Sequence, residues 1–290
     1  MLKHPDYNSP TELKNFMEQN NMSMQKKFGQ NFLVNEDARK KLIDSLDVKE
    51  NTTVWEVGPG LGSMTDELLK RGVNLTVFEI DHGFARLLPQ FFEEYKKTGH
   101  FNLVEGDVLK TWWNYLKTAT VPDRFFGNLP YNAAATIIAD TINKGIRFNK
   151  AVFTIQKEVG QRMSATPGSD DYSSFSVLCQ WAYDVKPIMD LAGGNFWPKP
   201  NVASRAVLFT KKDSFPNCEN PDLFMKLIRT VFAQRRKTIR NNLQTLISGS
   251  QADEALNKCA ISTNERAENL SIEKLLSLSD VINSVIISDK

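Results

Sequence analysis

Cysteine is scarce, with three residues among 290, at positions 179, 218 and 259. An odd number at wide spacing excludes a disulfide framework and offers no pair at metal-ligand distance. Charge of one sign is also lacking. Lys and Arg number 36 against 34 acids, so the net charge of +2 identifies no polyionic partner. Distribution says more, and two basic clusters stand out, Lys26-Lys27 and Arg229 to Arg240. No apolar run is long enough to span a membrane. The opening residues Lys3, His4, Pro5 and Asp6 lack the apolar core of a secretion signal. Internal repeats and long low-complexity segments are missing as well. The expectation is a reduced, metal-free, cytoplasmic protein. At 41% hydrophobic content the chain can build one large core and a smaller second domain.

What is present is an alternation of apolar runs and amphipathic stretches. Ser9-Pro10-Thr11-Glu12 opens a helix with a hydroxyl cap, a proline at the first helical position and an acid. Leu13, Phe16 and Met17 form its apolar face, and Asn20-Asn21 end it. The stretch from Lys26 to Leu33 is polar yet carries two Phe and a Gly. It reads either as a ligand-lining loop or as the lead-in to the helix that Asn35 caps. Strands follow at 52–57, 74–78, 101–104, 151–155 and 206–209, with helices between them and a polar loop at 167–171. Near Pro216 the pattern turns wholly helical. The fold expected is α/β, a Rossmann-like sheet with a small C-terminal all-helical domain. Its parts are a helical extension at 1–25, a sheet domain at 26–212 and a helical domain at 213–290.

The chemistry concentrates where strands end. After the first strand comes Gly58-Pro59-Gly60-Leu61-Gly62, and glycines there let backbone approach a ligand closely. The spacing is G-x-G-x-G with Glu56 before it, rather than the G-x-G-x-x-G that seats a pyrophosphate. An acid repels pyrophosphate but receives the ammonium of an amino-acid moiety, which favours S-adenosylmethionine over NAD. Glu79, at the end of the next strand, suits the hydroxyls of a ribose. Asp107 reads either as an acceptor for an adenine amino group or as the cap of the helix beginning at Val108. Trp112, Trp113 and Tyr115 read as packing residues.

Gly127-Asn128-Leu129-Pro130-Tyr131 lies where another strand gives way to a helix. Pro130 fixes its own φ and pushes Leu129 toward an extended conformation, so the turn is stiff. The amide of Asn128 and neighbouring carbonyls, beside the ring of Tyr131, can grip a planar amine by its protons. That is the requirement for methylating an amino group on a nucleobase. In Gly193–Ser204, Pro198 and Pro200 hold the chain extended and project an aromatic pair. Phe196 is the candidate second face of a base sandwich opposite Tyr131, offsetting the stacking a flipped base loses.

From Pro221 the periodicity predicts a helix carrying Phe224, Leu227, Ile228, Val231 and Ile239. At 100° per residue Arg229, Arg236 and Arg240 fall on one stripe, with Lys237 nearby. Such a stripe binds RNA phosphates or is a solvated flank. Arg235 falls nearer the apolar side, which predicts a buried ion pair or a break in the helix.

The segments KKFGQNFL, EVGPGLG, FEID, EGDVL, GNLPYN, QKEVGQRM, FWPKPNVAS, FAQRRKTIRNNL and RAENLS run between Lys26 and Ser271. Together they resemble the ribosomal RNA adenine N6-dimethyltransferases, most closely the group acting on bacterial 16S rRNA. The resemblance implies a class I methyltransferase sheet that binds S-adenosylmethionine through Asn31, Leu33, Gly58, Glu79, Asp107 and Asn128. It implies that Asn128, Leu129 and Tyr131 hold the target amine while Phe196 stacks on the base. The partner implied is 16S rRNA within the small ribosomal subunit or its precursor, met by a monomer. The related 23S rRNA resistance enzymes carry Gly-Lys-Gly and Asn-Ile-Pro-Tyr where this chain has Gly60-Leu61-Gly62 and Asn128-Leu129-Pro130-Tyr131. Two departures stand out: Ala133-Ala134-Ala135 where Ile-Ser-Ser/Thr is common, and Tyr172-Ser173 where Tyr-Gly is. A non-catalytic assembly or transcription factor on this fold could dispense with Asn128 or the glycines, and both are intact.

Overall fold

The computed structural model describes residues 2–25, 30–131 and 133–288. The lysine pair and Phe28-Gly29 of the first motif, and Asn132, lie outside the described residues. The chain forms two units, Met1–Gly160 with Lys186–Lys211, and Gln161–Val185 with Lys212–Lys290. Among the described residues no helix is long and apolar enough to cross a membrane.

The strands are β1 (Phe32–Leu33), β2 (Thr53–Val57), β3 (Asn74–Glu79), β4 (Phe101–Glu105) and β5 (Arg124–Asn128), then β6 (Lys150–Gln156), β7 (Tyr183–Leu191), β8 (Phe196–Trp197) and β9 (Ser204–Lys211). One sheet has the order β4-β3-β2-β5-β6-β9-β7. Neighbours from β4 through to β6 pair in parallel, and β9 runs antiparallel to β6. Val54, Trp55, Glu56 and Val57 of β2 are all buried, as a strand covered on both faces requires. The strand order reverses between β2 and β5, so their carboxyl ends open a crevice.

Helices α1 (Pro10–Gln19), α2 (Glu36–Leu46), α3 (Ser63–Leu69), α4 (His82–Phe91), α5 (Glu93–Lys97), α6 (Val108–Tyr115) and α7 (Ala134–Asn143) belong to the first unit. In α1 the Ser9 hydroxyl accepts the Glu12 N–H at 3.2 Å, and Pro10 needs no N–H partner. Leu13 and Met17 are buried in the same core as Leu42, Ile43 and Leu46 of α2 and Leu68 of α3. Residues before 26 are therefore part of the first unit rather than a separate extension. Trp112 is buried, whereas Trp113 is exposed with the Lys144 ammonium 5.5 Å from its ring centre.

Helix α8 (Lys157–Met163) crosses the division between the units. The second unit then contains α9 (Ser174–Ala182), α10 (Pro221–Val231), α11 (Ile239–Leu243), α12 (Gly249–Lys258) and α13 (Ile272–Ser288). Residues 161–185 group here, although the sequence pattern assigns them to 26–212. The reason is burial: Tyr172 donates its hydroxyl to the Leu270 carbonyl at 3.1 Å, and Trp181 packs on Phe215 and Phe224. Ser173, where glycine is common, forms a capping box with Ser176 at the start of α9. The 167–171 loop is also tied in, since Gly168 donates to the Glu268 carbonyl and Arg235 to the Asp170 carbonyl.

The continuous arginine-bearing helix expected from Pro221 does not form. Helix α10 stops at Val231, and Asn242, 4% exposed, donates its amide to the carbonyls of Val231 and Gln234. Thr238 then caps α11. Arg229, Arg236 and Arg240 thus sit on a helix, a turn and a second helix, not on one stripe. Arg235 lies at the break, and its ion pair with Glu268, at 2.8 Å, is half exposed rather than buried.

If α1 is part of the first core, Leu13→Ala removes a side chain that is 1% exposed. The expected loss is roughly 2–4 kcal/mol, read as a lower melting temperature by calorimetry with far-UV dichroism unchanged at 20 °C or so.

Candidate cofactor and amine site

Two turns leave the sheet side by side, because Val57 of β2 is level with Gly127 of β5. The first is fixed by its own N–H groups: Gly58 donates to the Phe78 carbonyl at 3.0 Å, Gly60 to Glu79 Oε2 at 3.0 Å, and Gly62 to the Pro59 carbonyl at 2.9 Å. Gly60 has φ +58°, and a Cβ there would stand 2.7 Å from the Phe32 ring. The second turn is held by Leu129, whose N–H donates to the Thr154 carbonyl at 3.1 Å, and by Pro130, whose carbonyl accepts from Ala133 and Ala134 as α7 begins. Leu129 folds back over Gly127, where an added Cβ would meet its Cδ2 at 2.5 Å.

The turns and the chain from Gln30 enclose a cavity of about 320 Å³. Asn31, Leu33, Gly58, Gly60, Glu79, Asp107 and Asn128 all line it, and so does Pro130. Every cofactor-binding candidate from the sequence is therefore on one wall or another of a single cavity. Asp107 caps α6 through the Leu109 N–H at 3.0 Å, and it also lines the cavity. Asn128 donates its amide to the Asn31 carbonyl at 2.8 Å, which ties the second turn to the segment before β1. The sequence did not single out Ile80, Val108, Leu109 and Ile137, which give the cavity its apolar walls. Ile80 carried a signal, an apolar residue between two acids at a strand end, and it is 42% exposed.

Two carboxyls lie at the buried end. Glu56 is 1% exposed, and burial pushes its pKa up to about 8 against the Thr65 hydroxyl, which donates to it at 2.7 Å. Burial likewise lifts Glu79 to about 7, opposed by N–H donation from Asp81 and Gly60. These residues fit a cationic ligand that also presents hydroxyls and a flat apolar ring. Glycine backbone allows close approach, the carboxyls face positive charge, and the apolar walls take the ring. A cation bound beside Glu56 favours its ionised form.

A raised acid binds its proton more tightly folded than unfolded, so the stability it contributes is present at low pH and lost as pH rises from about 4.5 to about 8. The ligand-free melting temperature should therefore fall between pH 5 and pH 8.5 or so. Glu56→Gln should flatten that fall, with the variant gaining on the wild type chiefly at the alkaline end. A parallel decline of both proteins in calorimetry would refute this assignment.

On the amine side, Tyr131 is half-buried and its hydroxyl is 2.5 Å from that of Ser204. Ser204, fully buried at the start of β9, thus fixes the ring that the sequence pattern offers as a stacking face. Phe196 stands differently from its expected role. It is 5% exposed, in the core, in a ribbon in which Leu33 of β1 lies opposite it. Trp197 does not project either, since it stacks on Phe32 at 6.1 Å. Leu129, Tyr131 and Phe196 do not line the cavity.

The RNA candidates all lie in the second unit. Arg229, Arg236 and Lys237 are exposed, whereas Arg240 is engaged by both oxygens of Asp253, at 2.5 and 2.7 Å.

An open parallel sheet with an antiparallel strand beside β6, a glycine turn at its switch point and an acid ending the strand next to it defines the class I methyltransferase fold. A solved dimethyladenosine transferase from Plasmodium falciparum shares it, with a TM-score of 0.72 at 24% identity over 84% of this chain and 94% of that one. The family model "Ribosomal RNA adenine dimethylase" matches residues 21–284. Curated relatives named ribosomal RNA small subunit methyltransferase A include one from Treponema denticola, 47% identical over 285 residues and 97% of each chain. Another, from Treponema pallidum, is 41% identical over 288 residues, covering 97% of this chain and 99% of its own. The chain belongs to the ribosomal RNA adenine dimethylase family.

Proposed function

We propose that this protein, a cytoplasmic monomer, dimethylates the N6 amines of two adjacent adenosines in 16S rRNA, on the small ribosomal subunit or its precursor. The observation that carries this reading is the meeting of the glycine turn and the Asn128 turn in one cavity. The family and the names of its relatives support ribosomal RNA of the small subunit as the substrate.

S-adenosylmethionine supplies an activated methyl group on a sulfonium. The protein's part is to present the amine. Adenine N6 is a poor nucleophile because its lone pair is delocalised into the ring. The Asn128 amide nitrogen is occupied by the Asn31 carbonyl, which leaves Oδ1, a pure acceptor, for an amine proton. A second proton donated to a backbone carbonyl of the turn draws the nitrogen toward a pyramidal geometry. The new C–N bond forms as the C–S bond breaks and its electron pair stays on sulfur. The ammonium formed then loses a proton to water. Because the leaving thioether is neutral, positioning and charge stabilisation carry the rate. The second transfer has one amine proton fewer, so one of the two acceptors is dispensable. Tyr131, held by Ser204, offers one stacking face. The role of Phe196 requires β8 to be uncovered when the base binds.

Asn128→Ala should lower turnover by about 10²–10³-fold, while the Kd for S-adenosylmethionine rises far less. Labelled cofactor and small subunits from a strain lacking this protein should yield dimethyladenosine in 16S rRNA. Label confined to large-subunit RNA would move the assignment to the resistance group, and unchanged turnover would remove Asn128 from the mechanism.

The solvent-facing Arg236 and Lys237 support contact with RNA phosphates more than Arg240 does. Replacing both with Ala should weaken subunit binding and lower the slope of log K against log salt by about 1–2, at unchanged cofactor affinity. Arg240→Ala should instead act mainly on stability, through Asp253. Filter binding across a salt series distinguishes the two.

A further inference from the structure

The segment ahead of the sheet reaches the glycine turn directly. Tyr7 is 5% exposed and donates its hydroxyl to the Leu61 carbonyl at 2.8 Å. Its ring is stacked on the His4 imidazole, 4.6 Å away and tilted by 9°. Leu61 lies between Gly60 at φ +58° and Gly62 at φ +91°, so alternative orientations of the peptides on either side cost little. The peptide joining Leu61 to Gly62 is pinned at both ends. Its N–H goes to the Pro59 carbonyl at 2.9 Å, and its C=O takes the Tyr7 hydroxyl.

The neighbouring residue reaches a second part of the lining of the same cavity. Asn8 Oδ1 accepts from the Arg39 guanidinium at 2.7 Å, and that guanidinium, 3% exposed, also donates to the Leu33 carbonyl at 3.0 Å. Leu33 and Gly60 both line the cavity. One turn of chain at residues 7 and 8 therefore restrains two walls that are far apart in sequence. Burial of a tyrosine hydroxyl needs a partner, but nothing in packing requires the partner to be this carbonyl.

We propose that Tyr7 is a positioning residue of the cofactor site: its hydroxyl holds the glycine turn in the conformation that receives the amino-acid end of S-adenosylmethionine. This rests on reading the cavity as the cofactor site. Residues before 26 thereby serve cofactor binding and not only the core.

The test compares full-length wild type, Tyr7→Phe and Leu13→Ala by calorimetric titration with S-adenosylmethionine and by steady-state methylation of small subunits. Tyr7→Phe keeps the ring and loses one hydrogen bond, so the Kd and KM for cofactor should rise about three- to tenfold. Its kcat and its KM for subunits should stay within about twofold of wild type. Leu13→Ala should lower the melting temperature while leaving the cofactor Kd in place. Wild-type cofactor affinity in Tyr7→Phe overturns the proposal, whatever its melting temperature. A rise in Kd as large in Leu13→Ala also overturns it, because the effect would then be general loosening. Wild-type protein that binds no S-adenosylmethionine overturns the cofactor reading and this proposal together.

Discussion

Parallel pairing of β2 with β5 is the constraint from which the site follows. Two strands running the same way, Val57 level with Gly127, must release their chains at the same edge of the sheet about one strand spacing apart. Neither chain can pair further with the other, since each has to turn into a helix on its own side. The gap between them is thus an obligatory product of the strand order. What the sequence adds is the lining: the side-chain-free backbone of a glycine turn, the Asn128 side chain, and buried carboxyls at Glu56 and Glu79.

Those carboxyls are held where ionisation is costly. Thr65 gives Glu56 one hydrogen bond, and Glu79 receives two N–H groups, yet burial outweighs both. A cation entering the cavity relieves that cost, so the same residues that burden the empty protein at alkaline pH favour the occupied one. Electrostatic strain and ligand selectivity are here one property of two side chains. An anion would gain nothing from their charge, and a neutral nucleoside would gain only hydrogen bonds to its hydroxyls.

Much of this was legible in the sequence because its causes are local. Ser9 and Asn35 cap the helices they appear to cap, and the glycine turn, Glu79, Asp107 and Asn128 follow strands that alternate apolar residues with turns. Their convergence needs only the usual hand of a βαβ crossover. What stayed hidden depends on partners distant in the chain. The arginine periodicity runs on past Val231, but Asn242 takes the carbonyls that would have continued the helix. Phe196 looks like a projecting aromatic until β1 is known to pair with it. Tyr7 gives no local sign of reaching Leu61, 54 residues on.

The way Leu129 folds over Gly127 has a consequence for how this turn can vary. The hollow that receives the leucine is the space a side chain at position 127 would need, so the two positions divide one fixed volume between them. A larger residue at 127 must evict the leucine, and a smaller one at 129 leaves an unfilled void beneath the asparagine. Asn128 stands between the two, so a change at either position alone alters the packing of the turn that carries it.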